Sequence, residues 1–99
     1  MSFRVLYSDM AREDIRRLIT HVSAYDPAAA RRARNAIKKA MEVLKEFPFT
    51  CRKASPETPF LRELVIPFGG SGFVALFDIK DATCVTILAV RHQHEDDYF

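Results

Sequence analysis

Arg91, His92 and His94 are followed by Glu95, Asp96, Asp97 and Tyr98, so a guanidinium, two imidazoles, three carboxylates and a phenol crowd the end of the chain. Metal-free RNA cleavage asks for such groups: a base for the 2′-hydroxyl, an acid for the leaving oxygen, and cations where charge develops on the phosphate. A catalytic set drawn from this sequence would be Arg62, Arg91, His92 and Tyr98, with His94 as a second imidazole. The surrounding charge opposes that use. Residues 55–99 hold three Lys/Arg against seven Asp/Glu, and the run Glu95, Asp96, Asp97 repels a polyanion where it would have to sit. The same carboxylates suit a latch that pairs with Arg91 or with cations on the helices.

Other candidate chemistries are weaker. His92 and His94 would share a face of a continuing strand, and Glu95 or Asp97 could join them, yet no third ligand stands at a firm metal spacing, so no metal and no cofactor are expected. Cys51 and Cys84 lack a CxxC or Cys/His pattern and read as idle thiols. The Gly69-Gly70-Ser71-Gly72 stretch lacks the Lys-Ser/Thr of a phosphate loop and stands between two strands, which makes it a hairpin turn. His21, near the end of a helix, is assigned to packing or capping.

The elements that must position these groups follow from periodicity. Phe3 to Tyr7 is a short apolar run suited to a strand. Ser8 or Asp9 can cap a helix over Asp9 to Ala24, whose stripe is Ala11, Ile15, Leu18, Ile19 and Val22. Asp26-Pro27 starts a second helix with the stripe Ala30, Ala33, Ile37, Ala40, Met41, Leu44 and Phe47, ended by Pro48. Only Tyr25 and Asp26 separate the two, which forces a helical hairpin. Phe49 to Pro59 reads as a loop, and Phe60 to Ile66, Phe73 to Ile79 and Cys84 to Val90 as three strands joined by tight connections, the second at Lys80-Asp81. The expected fold is α+β, in the order βααβββ, an antiparallel sheet packed against the helical hairpin.

Ninety-nine residues suffice for a single core, hence one domain over 1–99. No apolar window is long enough to cross a bilayer, so a cytoplasmic protein without a membrane partner is expected. Charge is uneven: residues 1–54 carry twelve Lys/Arg against six Asp/Glu. Arg31, Arg32, Arg34, Lys38 and Lys39 concentrate it on the second helix, where it can steer an acidic partner.

Over nearly its whole length the chain resembles the RelE/ParE superfamily of bacterial toxins. The resemblance rests on Leu61-Arg62-Glu63-Leu64, the Gly-rich turn before an apolar strand, and Ala89-Val90-Arg91-His92 closing the last strand. It implies a type II toxin neutralised by a cognate antitoxin in a hetero-oligomer, with Arg31, Arg34, Lys38, Ile15 and Leu18 as the antitoxin seat. Two activities occur in the superfamily: ParE-like poisoning of DNA gyrase, and RelE-like cleavage of mRNA on the ribosome. The acidic tail and the cation-poor sheet favour the first, with Arg91, His92 and His94 contacting the target. The alternatives are the ribonuclease and a non-toxic co-repressor that only binds the antitoxin.

Overall fold

A computed structural model of the chain describes residues 2–93. Its elements are β1 (Arg4–Tyr7), α1 (Asp9–Tyr25), α2 (Pro27–Glu46), a 3-10 turn (Pro48–Thr50), β2 (Arg52–Lys53), β3 (Leu61–Phe68), β4 (Ser71–Asp81) and β5 (Cys84–His92). The strands form one sheet in the order β1-β5-β4-β3-β2. The α+β class and the helical hairpin are as expected; the sheet is mixed, because β1 lies parallel to β5 while the other pairs are antiparallel. Apolar alternation marks a strand but carries no information about its neighbour or direction, which is why the parallel edge was not legible.

β2 falls inside the stretch read as a loop. Two residues are too short to show a period, and it is their pairing with Arg62 and Glu63 that makes them a strand. The turn before β4 is also tighter than expected. Phe68 pairs with Ser71, leaving Gly69 and Gly70 as the turn, and Gly69 takes the positive φ of 60° that such a hairpin needs at its first position. Gly72 lies inside β4, where a Cβ would run into the Ile66 carbonyl. The last connection moves to Ala82 and Thr83, since Asp81 pairs with Cys84.

Both helices begin where capping residues place them. The Ser8 hydroxyl accepts from the Ala11 N–H at 3.0 Å, and the Asp26 carboxylate accepts from the Ala28 N–H at 3.0 Å with Pro27 just inside. Their stripes pack on one face of the sheet: Leu18, Ile19, Ile37, Met41 and Leu44 meet Ile66, Phe73, Phe77, Val85, Ile87 and Val90. Phe47 departs from its expected stripe and is 60% exposed. The helix ends at Glu46 and Phe47 leaves helical geometry at φ −135°, so its side chain no longer follows the buried row.

Helix α1 also protects a sheet edge. β1 stops at the pair Tyr7–Ile87, and an irregularity then leaves Leu88 without a partner on β4. Beyond that point the Ser8 hydroxyl donates to the Leu88 carbonyl at 3.0 Å, and the Asp14 carboxylate accepts from the Val90 N–H at 2.9 Å. Polar groups that an edge strand would leave open are thus satisfied from the helix.

Candidate partner-binding site

Alternation along β5 sends adjacent side chains to opposite faces of the sheet. His92 pairs with Phe73, a core residue, and is on the helix side; Arg91 pairs with Val74 and is on the other face. These two of the three candidate target residues are therefore split. His92 Nε2 is 3.0 Å from the Ser71 hydroxyl, and its ring meets the Phe73 ring edge-on at 6.4 Å. Arg91 turns Nη1 toward the strand-end carbonyls of His92 and Gln93, at 3.3 and 3.4 Å.

Arg62 occupies the other end of the sheet. It pairs with Phe77, four positions along β4 from the partner of His92, or about 13 Å at the usual strand rise. Its Nε donates to the Pro59 carbonyl at 2.7 Å, its Nη1 to the carbonyls of Cys51 and Phe49 at 2.8 and 3.1 Å, and its guanidinium stacks 5.4 Å from the Phe49 ring centroid. Every one of these contacts ties the 48–60 segment to β3. Glu63 accepts from Arg52 Nε at 3.0 Å across the β2–β3 pair. Burial pushes the Cys51 thiol up, with Arg62 offsetting it in part, so that sulfur stays protonated and unreactive.

Arg62, Arg91 and His92 thus do not converge on one surface. Tyr98, His94 and the acidic run at residues 95–97 lie outside the described residues. Among the described residues no group of three or more His, Cys, Asp or Glu stands close enough to hold a metal. No described helix is long and apolar enough to cross a membrane.

Convergence occurs instead in two open grooves along α1. The first, of about 610 Å³, runs between β1, α1 and α2. Val5, Tyr7, Ile15, Ile37 and Met41 form its apolar floor, and Arg12, Arg34, Lys38 and Lys45 its rim, with Glu42 the one carboxylate among the described residues. Burial raises the Tyr7 phenol above its ordinary value against the pull of Lys45 and Arg12, so Tyr7 remains a neutral hydroxyl there. β1 is the terminal strand of the sheet, and the groove runs beside it.

Of the residues expected to seat an antitoxin, Ile15, Arg34 and Lys38 meet in this groove. Arg31 is exposed on α2 outside both grooves, and Leu18 is buried in the floor of the second. Arg12, Lys45 and Tyr7 were not singled out from the sequence. A signal existed: Arg34, Lys38, Met41 and Lys45 recur at helical spacing on one flank of α2.

The second groove, of about 780 Å³, lies between the later part of α1, the Gly69-Gly70 turn and the end of β5. Arg17, His21 and His92 line it with Ser71, over a floor of Leu18, Val22, Phe68 and Phe73. The His21 ring leans edge-on against Tyr25 at 5.4 Å.

The family model for the ParE toxin of type II toxin–antitoxin systems matches residues 5–97. Toxin RelE1 of Caulobacter vibrioides is 40% identical over 74 residues, which are 75% of this chain and 76% of that protein. A solved structure titled as the chromosomal ParDE toxin–antitoxin system from P. aeruginosa superposes with a TM-score of 0.71 at 18% identity, covering 92% of this chain and 96% of that one. That likeness, at so low an identity, speaks for the fold, and the family model with the Caulobacter relative speaks for the lineage: the chain belongs to the ParE toxin family of type II toxin–antitoxin systems.

Proposed function

We propose that this toxin acts by binding and poisoning DNA gyrase, and that a cognate antitoxin neutralises it by seating an acidic, partly apolar segment in the groove of Tyr7, Ile15, Arg34 and Lys38. The observation that carries the first part is the use of Arg62. A guanidinium whose Nε and Nη1 donate to three carbonyls of its own chain serves the fold, and a ribonuclease that draws on Arg62, Arg91 and His92 together finds them at two ends and on two faces of the sheet. Inhibition by contact needs no acid–base pair; it needs shaped, partly apolar surface with a charged rim. Both grooves have that character.

On this reading residues 1–99 act as one toxin domain in the cytoplasm, in a hetero-oligomer with the antitoxin, without metal or cofactor. Apolar anchors on Val5, Ile37 and Met41 supply most of the antitoxin's affinity, while the four cations speed its capture. The test is direct. Purified protein is expected to inhibit gyrase supercoiling and to leave ribosome-bound messages intact. Cleavage of those messages at defined positions, with gyrase unaffected, would overturn the target assignment.

A further inference from the structure

Charge is unevenly laid along the first groove, and α2 sets the order. Arg34 and Lys38 are four residues apart, about 6 Å along the helix axis, and no ion pair among the described residues holds either. One further turn on comes Glu42, about 12 Å from Arg34 along the same axis, with its carboxylate 3.1 Å from Lys45 Nζ. The α2 side of the groove therefore has a cationic end and a neutralised end. At the neutralised end Glu42, Lys45 and, from α1, Arg12 all act on the Tyr7 phenol.

The Glu42–Lys45 pair does little for the free protein. Its side chains are 60% and 44% exposed, and solvent screens an i,i+3 pair of that kind. A segment seated in the groove changes this, because it strips water from Glu42. A carboxylate brought up to that point would leave two negative groups sharing one ammonium. A cationic side chain would give Glu42 a second partner and leave Lys45 in place. Four rim cations alone would accept acidic segments of many sequences and in either direction; one carboxylate among them rejects those that carry an acid at its position.

We propose, on the reading that the antitoxin occupies this groove, that Glu42 is a specificity-determining residue of the seat. The segment that fits carries carboxylates toward Arg34 and Lys38 and a lysine or arginine toward Glu42, which fixes its direction and excludes acidic segments of other patterns. Titration calorimetry of the purified toxin with its cognate antitoxin tests this. Glu42→Lys should weaken binding by at least about tenfold, and Glu42→Gln, which removes the charge but keeps the shape, by a smaller factor. The decisive measurement is a charge swap. Among antitoxin variants in which each Lys or Arg of the toxin-binding segment is changed in turn to Glu, one should bind the wild-type toxin at least about tenfold less tightly and recover on the Glu42→Lys toxin. A merely structural Glu42 would give no such recovery. Circular dichroism and the thermal midpoint of each toxin variant check that the fold is kept.

A folded Glu42→Lys toxin that binds the antitoxin as tightly as the wild type, or more tightly, would overturn the proposal, as would the absence of any antitoxin variant that recovers on it. Arg34→Glu combined with Lys38→Glu separates this from a failure of the seat itself. A folded double variant that still captures the antitoxin would refute the seat and the role of Glu42 together. Loss of the antitoxin in that variant, with Glu42→Lys neutral, would refute the role of Glu42 alone.

Discussion

The two ends of the sheet use the same kinds of residue in opposite ways. At one end, Arg62 sits on the helix face of β3, yet its Nε and Nη1 donate into the turn and loop around residues 49–59, and Phe49 closes over it. At the other, His92 sits on the same face of β5 and opens into a groove of about 780 Å³ beside Arg17 and His21. Strand face is alike in the two cases. What separates them is what the neighbouring segment supplies: three backbone carbonyls around Arg62, and the Ser71 hydroxyl beside His92. The 48–60 segment carries two further prolines, Pro56 and Pro59, and little regular pairing, so its carbonyls need outside donors, and a forked guanidinium can serve several at once. The tight two-residue turn at Gly69-Gly70 is closed by the Phe68–Ser71 pair instead.

The largest expected effect is therefore at Arg62. Arg62→Ala removes three hydrogen bonds from a charged donor and the stacking contact on Phe49, at a cost of about 2 kcal/mol, which for a domain of this size lowers the thermal midpoint by about 10 °C. Arg62→Lys should recover little of it, since an ammonium cannot reproduce the planar fork. Thermal unfolding followed by circular dichroism measures both. An unchanged midpoint with lost growth arrest would make Arg62 a functional residue and erase the contrast between the ends.

A smaller effect on folding is expected at His92. Glutamine keeps a side-chain group able to bond the Ser71 hydroxyl, so His92→Gln should shift stability by less than about 1 kcal/mol while weakening growth arrest. A stability loss rivalling that of Arg62→Ala would mean that both ends are structural. Antitoxin capture, measured by co-purification, should not change.

How much of this was legible beforehand differs by level. Ser8, Asp26-Pro27 and Pro48 announced the helix limits because capping and proline effects are local. The stripes through Leu18 and Ile37 announced the core, for the same reason. The parallel pairing of β1 with β5, the short β2 and the irregularity at Leu88 were not legible, since each depends on which strand arrives alongside. The site divides in the same way. Ile15, Arg34 and Lys38 were picked from one-dimensional spacing and do meet in a groove, whereas the separation of Arg91 from His92 followed only once both were known to lie in the strand. Arg17 and His21, four apart on α1, were within reach of the same spacing rule, but nothing local says that the end of β5 lies opposite them.

The faintest difference between the two ends concerns acid. The β4–β5 connection lies at the Arg62 end, and there the Asp81 carboxylate accepts from the Thr83 N–H at 2.7 Å and from the Thr83 hydroxyl at 2.8 Å. These bonds, the backbone one first, hold its pKa below the ordinary carboxylate range. A carboxyl group depressed in the folded state contributes stability that is fully present above its unfolded value, about 3.9, and is lost as pH falls through the lower folded value. Glu57, held down chiefly by the Ser55 hydroxyl at the same end, acts in the same direction. Stability attributable to these two turns should thus be flat from pH 7 to about pH 5 and decline only below about pH 4. Asp81→Asn keeps an acceptor for Thr83 without the charge and should flatten that decline in urea unfolding measured across the acid range. An equal decline in a protein carrying both Asp81→Asn and Glu57→Gln would assign the acid sensitivity to carboxylates elsewhere in the chain and remove this last distinction between the two ends.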